Sequence, residues 1–306
     1  MTRIAAIDCG TNSIRLLIAD SVEDGALIDV DRQMQIVRLG QGVDATGRLA
    51  PEALARTFHA ARGYAAAIAA AGVARVRVVA TSATRDAANR DEFTAAMTEI
   101  FGVVPEVVPG EVEAALSFTG ATAGLDAAGI GAPYLVIDIG GGSTEFVLGS
   151  TGPEAARSVD VGCVRMLERH LRTDPPTAEQ VAAAVADVDA AIADAVRAVP
   201  VGQARSIIGV AGTVTTVTAL ALDLPTYDAA KIHQARIPAS RIHEVAAQLL
   251  ASTREQRAGM GPVHPGRVDT IPAGALVLDR VVTALGEADL IASEHDILDG
   301  IARSLL

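Results

Sequence analysis

The sequence predicts an α/β fold in which two similar domains flank an active-site cleft. Three observations lead to this prediction. The chain has 306 residues, enough for two domains of ordinary size. Segments with the alternation of strands and segments with the period of helices succeed each other along the chain. One strand–turn–strand pattern occurs twice, at residues 7–15 and again at residues 137–145.

The first half alternates between predicted strands and helices. Apolar runs over residues 4–8 and 14–19, joined by a small polar turn, predict a hairpin. Helical periodicity that stops at Gly72 predicts a helix over residues 51–71. The remaining elements predicted by the same criteria are a strand over 73–80, a helix over 90–101, a strand over 103–108 and a helix over 111–122.

A stretch rich in glycine and alanine, residues 124–133, separates the two halves. We therefore predict domains at residues 1–124 and 125–306, and we allow for the last helix to pack back on the first domain. The elements predicted for the second half are strands over 134–139, 144–149 and 206–210 and helices over 177–199 and 296–306.

Composition excludes several classes of protein. The formal net charge is −12 and aromatic residues make up 3% of the chain. A nucleic-acid-binding protein normally carries a basic patch and stacking aromatics, so no nucleic-acid partner is expected. A polyanionic substrate would need a locally positive site made by arginines, backbone N–H groups or metal ions.

The cysteines and the apolar segments point to a cytoplasmic protein. Cys9 and Cys163 lack the spacing of a zinc site or a disulfide framework. The N-terminus has no pattern of a signal peptide. Uninterrupted apolar stretches fall short of the ~20 residues that a membrane span needs, so no membrane partner is expected.

The repeated pattern carries the chemistry. The copies read IDCGTNSIR and IDIGGGSTE, and they align without a gap, with Asp8 over Asp138 and Ser13 over Ser143. A chance match between two glycine-containing hairpins is the alternative to a duplication. Turns of glycine, serine and threonine can point N–H groups at an anion, and a strand-end aspartate can hold a divalent cation.

Several further segments carry a family resemblance. The two hairpins resemble the phosphate motifs of the actin, Hsp70 and sugar kinase superfamily, and more narrowly those of the exopolyphosphatase and guanosine pentaphosphate phosphohydrolase family. The segments that are similar to this family are ATSATRDAANR, VPGEVEAALSFTG, VGCVRMLE, GVAGTVTTVTAL, GRVDTIPAGALVL and HDILDGIA. The resemblance covers the chain in order and implies ribonuclease H-like (actin-like ATPase) domains in a short, two-domain form.

The resemblance implies two catalytic residues. Glu113 matches the general base that would deprotonate the attacking water, although Glu111 lies close by and acids at a helix start are also favoured by the dipole. Arg85 matches an arginine that clamps phosphate, a task suited to a planar guanidinium. For Arg15 and Arg267, an anion contact and a structural ion pair remain equally open.

The resemblance also implies a cation site and a set of phosphate contacts. Asp138 and Glu145, with Asp8 in the other domain, are the expected ligands of Mg²⁺ (or Mn²⁺); an exposed position at the rim remains open for Glu145. The expected phosphate-binding residues are Gly10, Thr11, Asn12, Ser13, Arg15, Gly140, Gly141, Gly142, Ser143, Thr144, Gly212 and Arg267.

The predicted function is that of a metal-dependent exopolyphosphatase, a hydrolase that removes terminal phosphate from inorganic polyphosphate. Hydrolysis of guanosine pentaphosphate by the same residues is the nearest alternative. An acceptor kinase or a nucleotide-binding scaffold of the same superfamily is the alternative from another class. The resemblance further implies a homodimer.

Overall fold

The computed structural model describes residues 2–22 and 26–306 of the chain. Its strands, in chain order, are β1 (Thr2–Cys9), β2 (Ser13–Ser21), β3 (Leu27–Ile36), β4 (Arg75–Ala80), β5 (Glu106–Val107), β6 (Tyr134–Ile139), β7 (Thr144–Gly149), β8 (Pro153–Val159), β9 (Ser206–Val210), β10 (Arg236–Ile237) and β11 (Leu290–Ala292).

The helices alternate with these strands, and short 3₁₀ turns lie at Val201–Gln203 and Pro265–Arg267. In chain order the helices are α1 (Val43–Thr46), α2 (Pro51–Ala70), α3 (Ser82–Asp86), α4 (Arg90–Phe101), α5 (Gly110–Thr122), α6 (Cys163–Arg169), α7 (Ala178–Ala198), α8 (Ala211–Ala221), α9 (Ala229–Ile232), α10 (Ala239–Ala251), α11 (Arg254–Ala258), α12 (Ile271–Ala284) and α13 (Ile297–Arg303).

The chain divides into two units. One comprises the chain up to Gly120 together with Ile297–Leu306, and the other comprises Ala121–Asp296. The sequence placed the boundary after residue 124 and assigned the last helix to the second domain while allowing it to pack back on the first. The helix does pack on the first unit, because α13 buries Ile297, Leu298 and Ile301 in a core with residues of β1, β2 and β4.

Both units contain the same sheet. The first has the strand order β3-β2-β1-β4-β5, and the second has β8-β7-β6-β9-β11 with β10 added at the β11 edge. In each, the first two strands of the hairpin are antiparallel, and the first of them runs parallel to the strand that follows a helix. The predicted duplication of an α/β domain is therefore confirmed at the level of topology.

Residues that favour a helix start stand at the beginning of the two longest helices. Pro51 occupies the first turn of α2, where its missing N–H costs nothing, and the Thr177 side chain caps α7 by accepting from the Gln180 N–H. In the ranges 2–22 and 26–306, the helices are all too short or too polar to span a membrane.

Candidate active site

The two repeated turns have the same backbone geometry. In the first, the Gly10 N–H donates to the Ser13 carbonyl at 2.9 Å, and in the second the Gly140 N–H donates to the Ser143 carbonyl at 3.0 Å. Each turn follows the carboxyl end of a strand that is buried in the middle of its sheet. The sequence match is thus a structural match of the loops predicted to bind phosphate.

An ion pair closes the base of the first hairpin. Asp8 and Arg15 face each other in the β1–β2 register, and Oδ2 of Asp8 accepts from Nε of Arg15 at 2.9 Å and from Nη2 at 2.7 Å. The Asp8 carboxylate is buried, and a buried carboxylate needs such a partner. Arg15 thus has a structural ion pair, and its contact with an anion stays a prediction.

The first turn also holds a buried amide. Both the nitrogen and the oxygen of the Asn12 side chain are buried and find no hydrogen-bond partner in the part of the chain that the structure describes. Buried polar atoms are nearly always hydrogen-bonded in native proteins. Asn12 therefore suits a position that receives a polar ligand, in agreement with its prediction as a phosphate-binding residue.

A loop following β3 braces this turn. The Asn12 carbonyl accepts from the N–H groups of Val37 and Arg38 at 3.0 and 2.8 Å, and the Thr11 carbonyl accepts from Gly40 at 2.8 Å. A Cβ at Gly40 would overlap the Thr11 methyl and press on Ala83. The brace thus fits only because residue 40 is glycine.

The carboxyl ends of β1, β4 and β5 lie side by side, since Cys9 pairs with Ala80 and Ala80 with Val107. This arrangement brings α3, which follows β4, next to the start of α5. Nη1 of Arg85 donates to Oε2 of Glu113 at 2.9 Å and to the Val108 carbonyl at 3.0 Å. The two residues predicted to be catalytic are therefore a contacting pair.

The burial of α5 distinguishes its two acids. Glu113 is 8% exposed and faces Arg85, whereas Glu111 is exposed to solvent. The sequence could not decide between them. The structure places Glu113, and not Glu111, beside the arginine.

The second turn is braced from α6. Its Gly140 carbonyl accepts from the Cys163 N–H at 3.0 Å, and its Gly141 carbonyl accepts from the Val164 N–H at 2.8 Å. Nε of Arg165 donates to the Gly142 carbonyl at 2.7 Å. Because the carbonyls are bound on the α6 side, the turn's own N–H groups remain as its means of binding an anion.

Asp138 and Glu145 form a pair of carboxylates on the second hairpin. They face each other in the β6–β7 register, so their side chains extend from the same side of the sheet. Glu145 is 1% exposed, which rules out the rim position that the sequence had left open. The Ser158 hydroxyl, from the neighbouring strand, donates to Oε1 of Glu145 at 2.8 Å.

These two carboxylates suit Mg²⁺ by their donor chemistry. Hard oxygen ligands are what the ion prefers, and Mg²⁺ is commonly held by one or two carboxylates with substrate phosphate and water completing its shell. Within the described residues no set of three or more histidine, cysteine, aspartate or glutamate side chains could form a complete cage. Asp8, the third predicted ligand, belongs to the first unit and accepts from Arg15 there.

Thr144 differs from the other residues predicted to bind phosphate. It is fully buried, and its hydroxyl donates to the Val161 carbonyl at 2.7 Å. A hydroxyl has a single hydrogen to donate, so the predicted donation from Thr144 to phosphate is not available in this arrangement. Ser143, one residue earlier, ends the turn itself.

Gly212 and Arg267 meet at the start of α8. The guanidinium of Arg267 lies where a Cβ of residue 212 would be, so a side chain there would displace it. Ala211, the first residue of α8, has a positive φ of 68°, which is unfavourable for a residue with a side chain. Cys163 lies nearby, and burial raises the pKa of its thiol.

Sequence reasoning missed three residues that hydrogen-bond to the two hairpins, which are Arg38, Ser158 and Arg165. Arg165 lies within the quoted VGCVRMLE segment, so its position was visible but its hydrogen bond to the turn was not. Ser158 could have been found from the alternation of β8, which places it opposite Glu145. For Arg38 no sequence signal was available.

Two α/β units with the same strand order, each carrying a strand–turn–strand motif at the carboxyl end of its central strand, define a protein of the two-domain actin-like ATPase fold. The chain belongs to the Ppx/GppA phosphatase family, whose model matches residues 17–306.

Curated relatives cover the full length of the chain. It is 51% identical to Exopolyphosphatase 2 of Mycobacterium tuberculosis, with 100% of this chain and 99% of that protein aligned. It is also 28% identical to the guanosine-5'-triphosphate,3'-diphosphate pyrophosphatase of Aeromonas salmonicida, where 99% of this chain aligns with 59% of that protein.

Solved structures share the fold. The crystal structure of an exopolyphosphatase-like protein matches with a TM-score of 0.96 and 46% identity over 99% of this chain and 97% of the other. The Ppx/GppA enzyme of Aquifex aeolicus matches with a TM-score of 0.81 and 30% identity over 99% of both chains.

Proposed function

We propose that the protein is an exopolyphosphatase that hydrolyses the terminal phosphoanhydride bond of inorganic polyphosphate. The observation that carries the proposal is the partly buried contact between Glu113 and Arg85, near the first turn. The 51% identity with a full-length relative named Exopolyphosphatase 2 supports the same substrate.

The chemistry needs a positioned water and a stabilised leaving group. Glu113 accepts a proton from the attacking water. The water oxygen bonds to the terminal phosphorus, and the bridging P–O bond breaks. The negative charge passes to the shortened chain, and inorganic phosphate is released. Arg85 binds oxygens of the terminal phosphate. When no phosphate is bound, the Arg85 guanidinium neutralises Glu113 instead.

Each turn offers donors to phosphate. In the first unit these are the amide of Asn12 and the N–H groups of the first turn, and in the second unit they are the N–H groups of residues 141–143. Mg²⁺ (or Mn²⁺) bound by Asp138 and Glu145 would supply positive charge to neutralise phosphate oxygens. The positive charge of the ion would offset the negative charge of the protein, whose formal net charge is −12.

The decisive test is phosphate release from polyphosphate in the presence of Mg²⁺. We expect Glu113→Gln to lower kcat by about 10²–10⁴-fold, the range typical of general acid–base catalysis. Glu111→Gln is the matched control, because it removes an exposed carboxylate two residues earlier in the same helix. Equal losses in the two variants, or full activity in excess chelator, would contradict the proposal.

Guanosine pentaphosphate is a second candidate substrate. The relatives named guanosine-5'-triphosphate,3'-diphosphate pyrophosphatase support it, and the same residues would break the same kind of bond. Comparing kcat/KM for short polyphosphate, long polyphosphate and guanosine pentaphosphate ranks these substrates. Activity confined to the nucleotide would replace the first proposal by the second.

We further propose a cytoplasmic homodimer. The resemblance to the family supports this proposal. Light scattering on the purified protein and fractionation of the producing cells test the two parts separately.

A further inference from the structure

Backbone strain singles out one residue next to the first turn. In the described ranges, the residues other than glycine with positive φ are Arg38, Ala211, Asp223, Gln234 and Glu287. Asp223, Gln234 and Glu287 follow the ends of α8, α9 and α12, where a left-handed residue commonly terminates a helix. Arg38, with φ at 51°, follows a strand, so helix termination does not explain its conformation.

The position of Arg38 ties it to the candidate site. Its N–H donates to the Asn12 carbonyl at 2.8 Å, so its Cα lies directly behind the turn that carries the buried Asn12 amide. The same loop contacts Thr11 and Ala83 through Gly40, and Ala83 precedes Arg85 by one helical half-turn in α3. The long arginine side chain at residue 38 thus starts within reach of any anion held at this turn.

The charges of the first unit supply a reason for a further arginine there. Arg15 contacts Asp8 at 2.7 Å, and Arg85 contacts Glu113 at 2.9 Å. These four side chains have no net charge between them, whereas a polyphosphate end carries several negative charges. A further arginine at this turn would add positive charge beside such an end.

Glycine would satisfy the backbone better than arginine does. A residue with a Cβ in the left-handed region is disfavoured, and glycine is not. Residues with a strained backbone cluster at active sites and ligand-binding positions, and residue 38 lies beside the turn that carries the buried Asn12 amide.

We propose that Arg38 is a substrate-binding residue whose guanidinium contacts the phosphate held at residues 10–13. The inference rests on the proposed function, because it assigns that site an additional contact to a polyphosphate end. It identifies a residue that the sequence motifs did not single out.

The test is calorimetric binding of tripolyphosphate with Mg²⁺ present, in the Glu113→Gln background, which prevents turnover. Arg38→Gly should weaken binding by about tenfold, the loss typical of one charge-assisted hydrogen bond, while the Tm stays equal to or above that of the parent. Arg38→Lys should keep most of the affinity, and Arg38→Gln should lose it.

Gln234→Gly is the matched control, because it also replaces a residue with positive φ but lies in the second unit. It should leave the dissociation constant unchanged. Tripolyphosphate binding that is as tight in Arg38→Gly and Arg38→Gln as in the parent would overturn the proposal. The Lys and Gln pair keeps the test decisive even if the glycine variant is less stable, since both retain a Cβ at residue 38.

Turnover is measured separately with the otherwise wild-type chain. If it binds tripolyphosphate through Arg38 but releases no phosphate, the proposed hydrolysis fails and the assignment of Arg38 stands. If it releases phosphate at the same kcat/KM with or without the arginine, the assignment fails and the hydrolase stands. Absence of tripolyphosphate binding at millimolar concentration overturns both.

Discussion

The two hairpins share their backbone but differ in charge. In the first, the strand-end Asp8 faces Arg15 across the ladder, and in the second the equivalent Asp138 faces Glu145. The turns have the same hydrogen bond, at 2.9 Å in one and 3.0 Å in the other. The same scaffold thus carries a neutral pair in one unit and a doubly acidic pair in the other.

The difference shows how a duplicated fold can divide its work. The first hairpin neutralises its carboxylate with its own guanidinium, so it contributes a turn and a fixed ion pair. The second hairpin has carboxylates at two facing residues of the ladder, and carboxylate oxygens are ligands that a divalent cation prefers. We propose that Asp138 and Glu145 of the second hairpin would hold a Mg²⁺ ion, whereas Asp8 serves the first hairpin as the partner of Arg15.

The strongest test of this comparison is Glu145→Gln. If the acidic pair holds Mg²⁺, activity at a fixed low Mg²⁺ concentration should fall by about a hundredfold, and excess Mg²⁺ should restore part of it. Phosphate release over a Mg²⁺ titration measures this. Glu179→Gln, on the exposed side of α7, is the control. An unchanged Mg²⁺ dependence in Glu145→Gln would contradict the proposal that the second hairpin holds the ion.

Removing one charge from each hairpin should change the free energy of unfolding differently in the two units. Arg15→Ala leaves a buried carboxylate without its guanidinium, which typically costs about 3 kcal/mol. Glu145→Gln in the presence of chelator removes a repulsion and should be neutral or stabilising. Urea unfolding monitored by circular dichroism compares the two, and destabilisation of similar size in both would show that the hairpins are equivalent.

The smallest effect concerns a site outside both hairpins and sets the baseline for pH studies. His243 contacts Asp279 and Glu287 at 2.6 Å each. Donation from the ring to the Asp279 carboxylate, followed by donation to Glu287, raises the pKa of His243 above 6.5. Its contribution to stability is therefore complete below pH 6.5 and is lost as the pH rises through the folded-state pKa.

We expect the Tm to fall by about 1–2 °C over that rise, and His243→Gln should remove the dependence. Calorimetry between pH 6 and pH 9 (roughly spanning the ordinary and raised histidine range) provides the measurement. A pH dependence that persists in the variant would have to come from another group.

Much of the backbone could be predicted from the sequence. Periodicity located α4 at its observed bounds, and apolar runs located β6, β7 and β9. The strand predicted over residues 103–108 is much shorter, Glu106–Val107, because apolar composition does not reveal how many residues a neighbouring strand will pair. The two-domain α/β fold was likewise predicted, since the repeat and the alternation are local signals.

The contacts of the site were less accessible to sequence reasoning. Glu113 and Arg85 were each predicted, but their contact depends on the parallel register of β1, β4 and β5. The buried hydroxyl of Thr144 and the positive φ of Arg38 depend on residues distant in sequence, Val161 and Asn12. Motifs could predict which side chains take part in the site. Which of these side chains contact each other could be seen only from the packing of the folded chain.

The placement of α13 has a consequence for biosynthesis. The first unit buries Ile297, Leu298 and Ile301 in its sheet, yet a ribosome makes this segment only after the whole of Ala121–Asp296. During synthesis, the apolar residues of the N-terminal sheet that pack against α13 therefore stay uncovered until α13 is made. The second unit is one continuous stretch of sequence, Ala121–Asp296, and can fold before then. The unit that is synthesised first is therefore completed last.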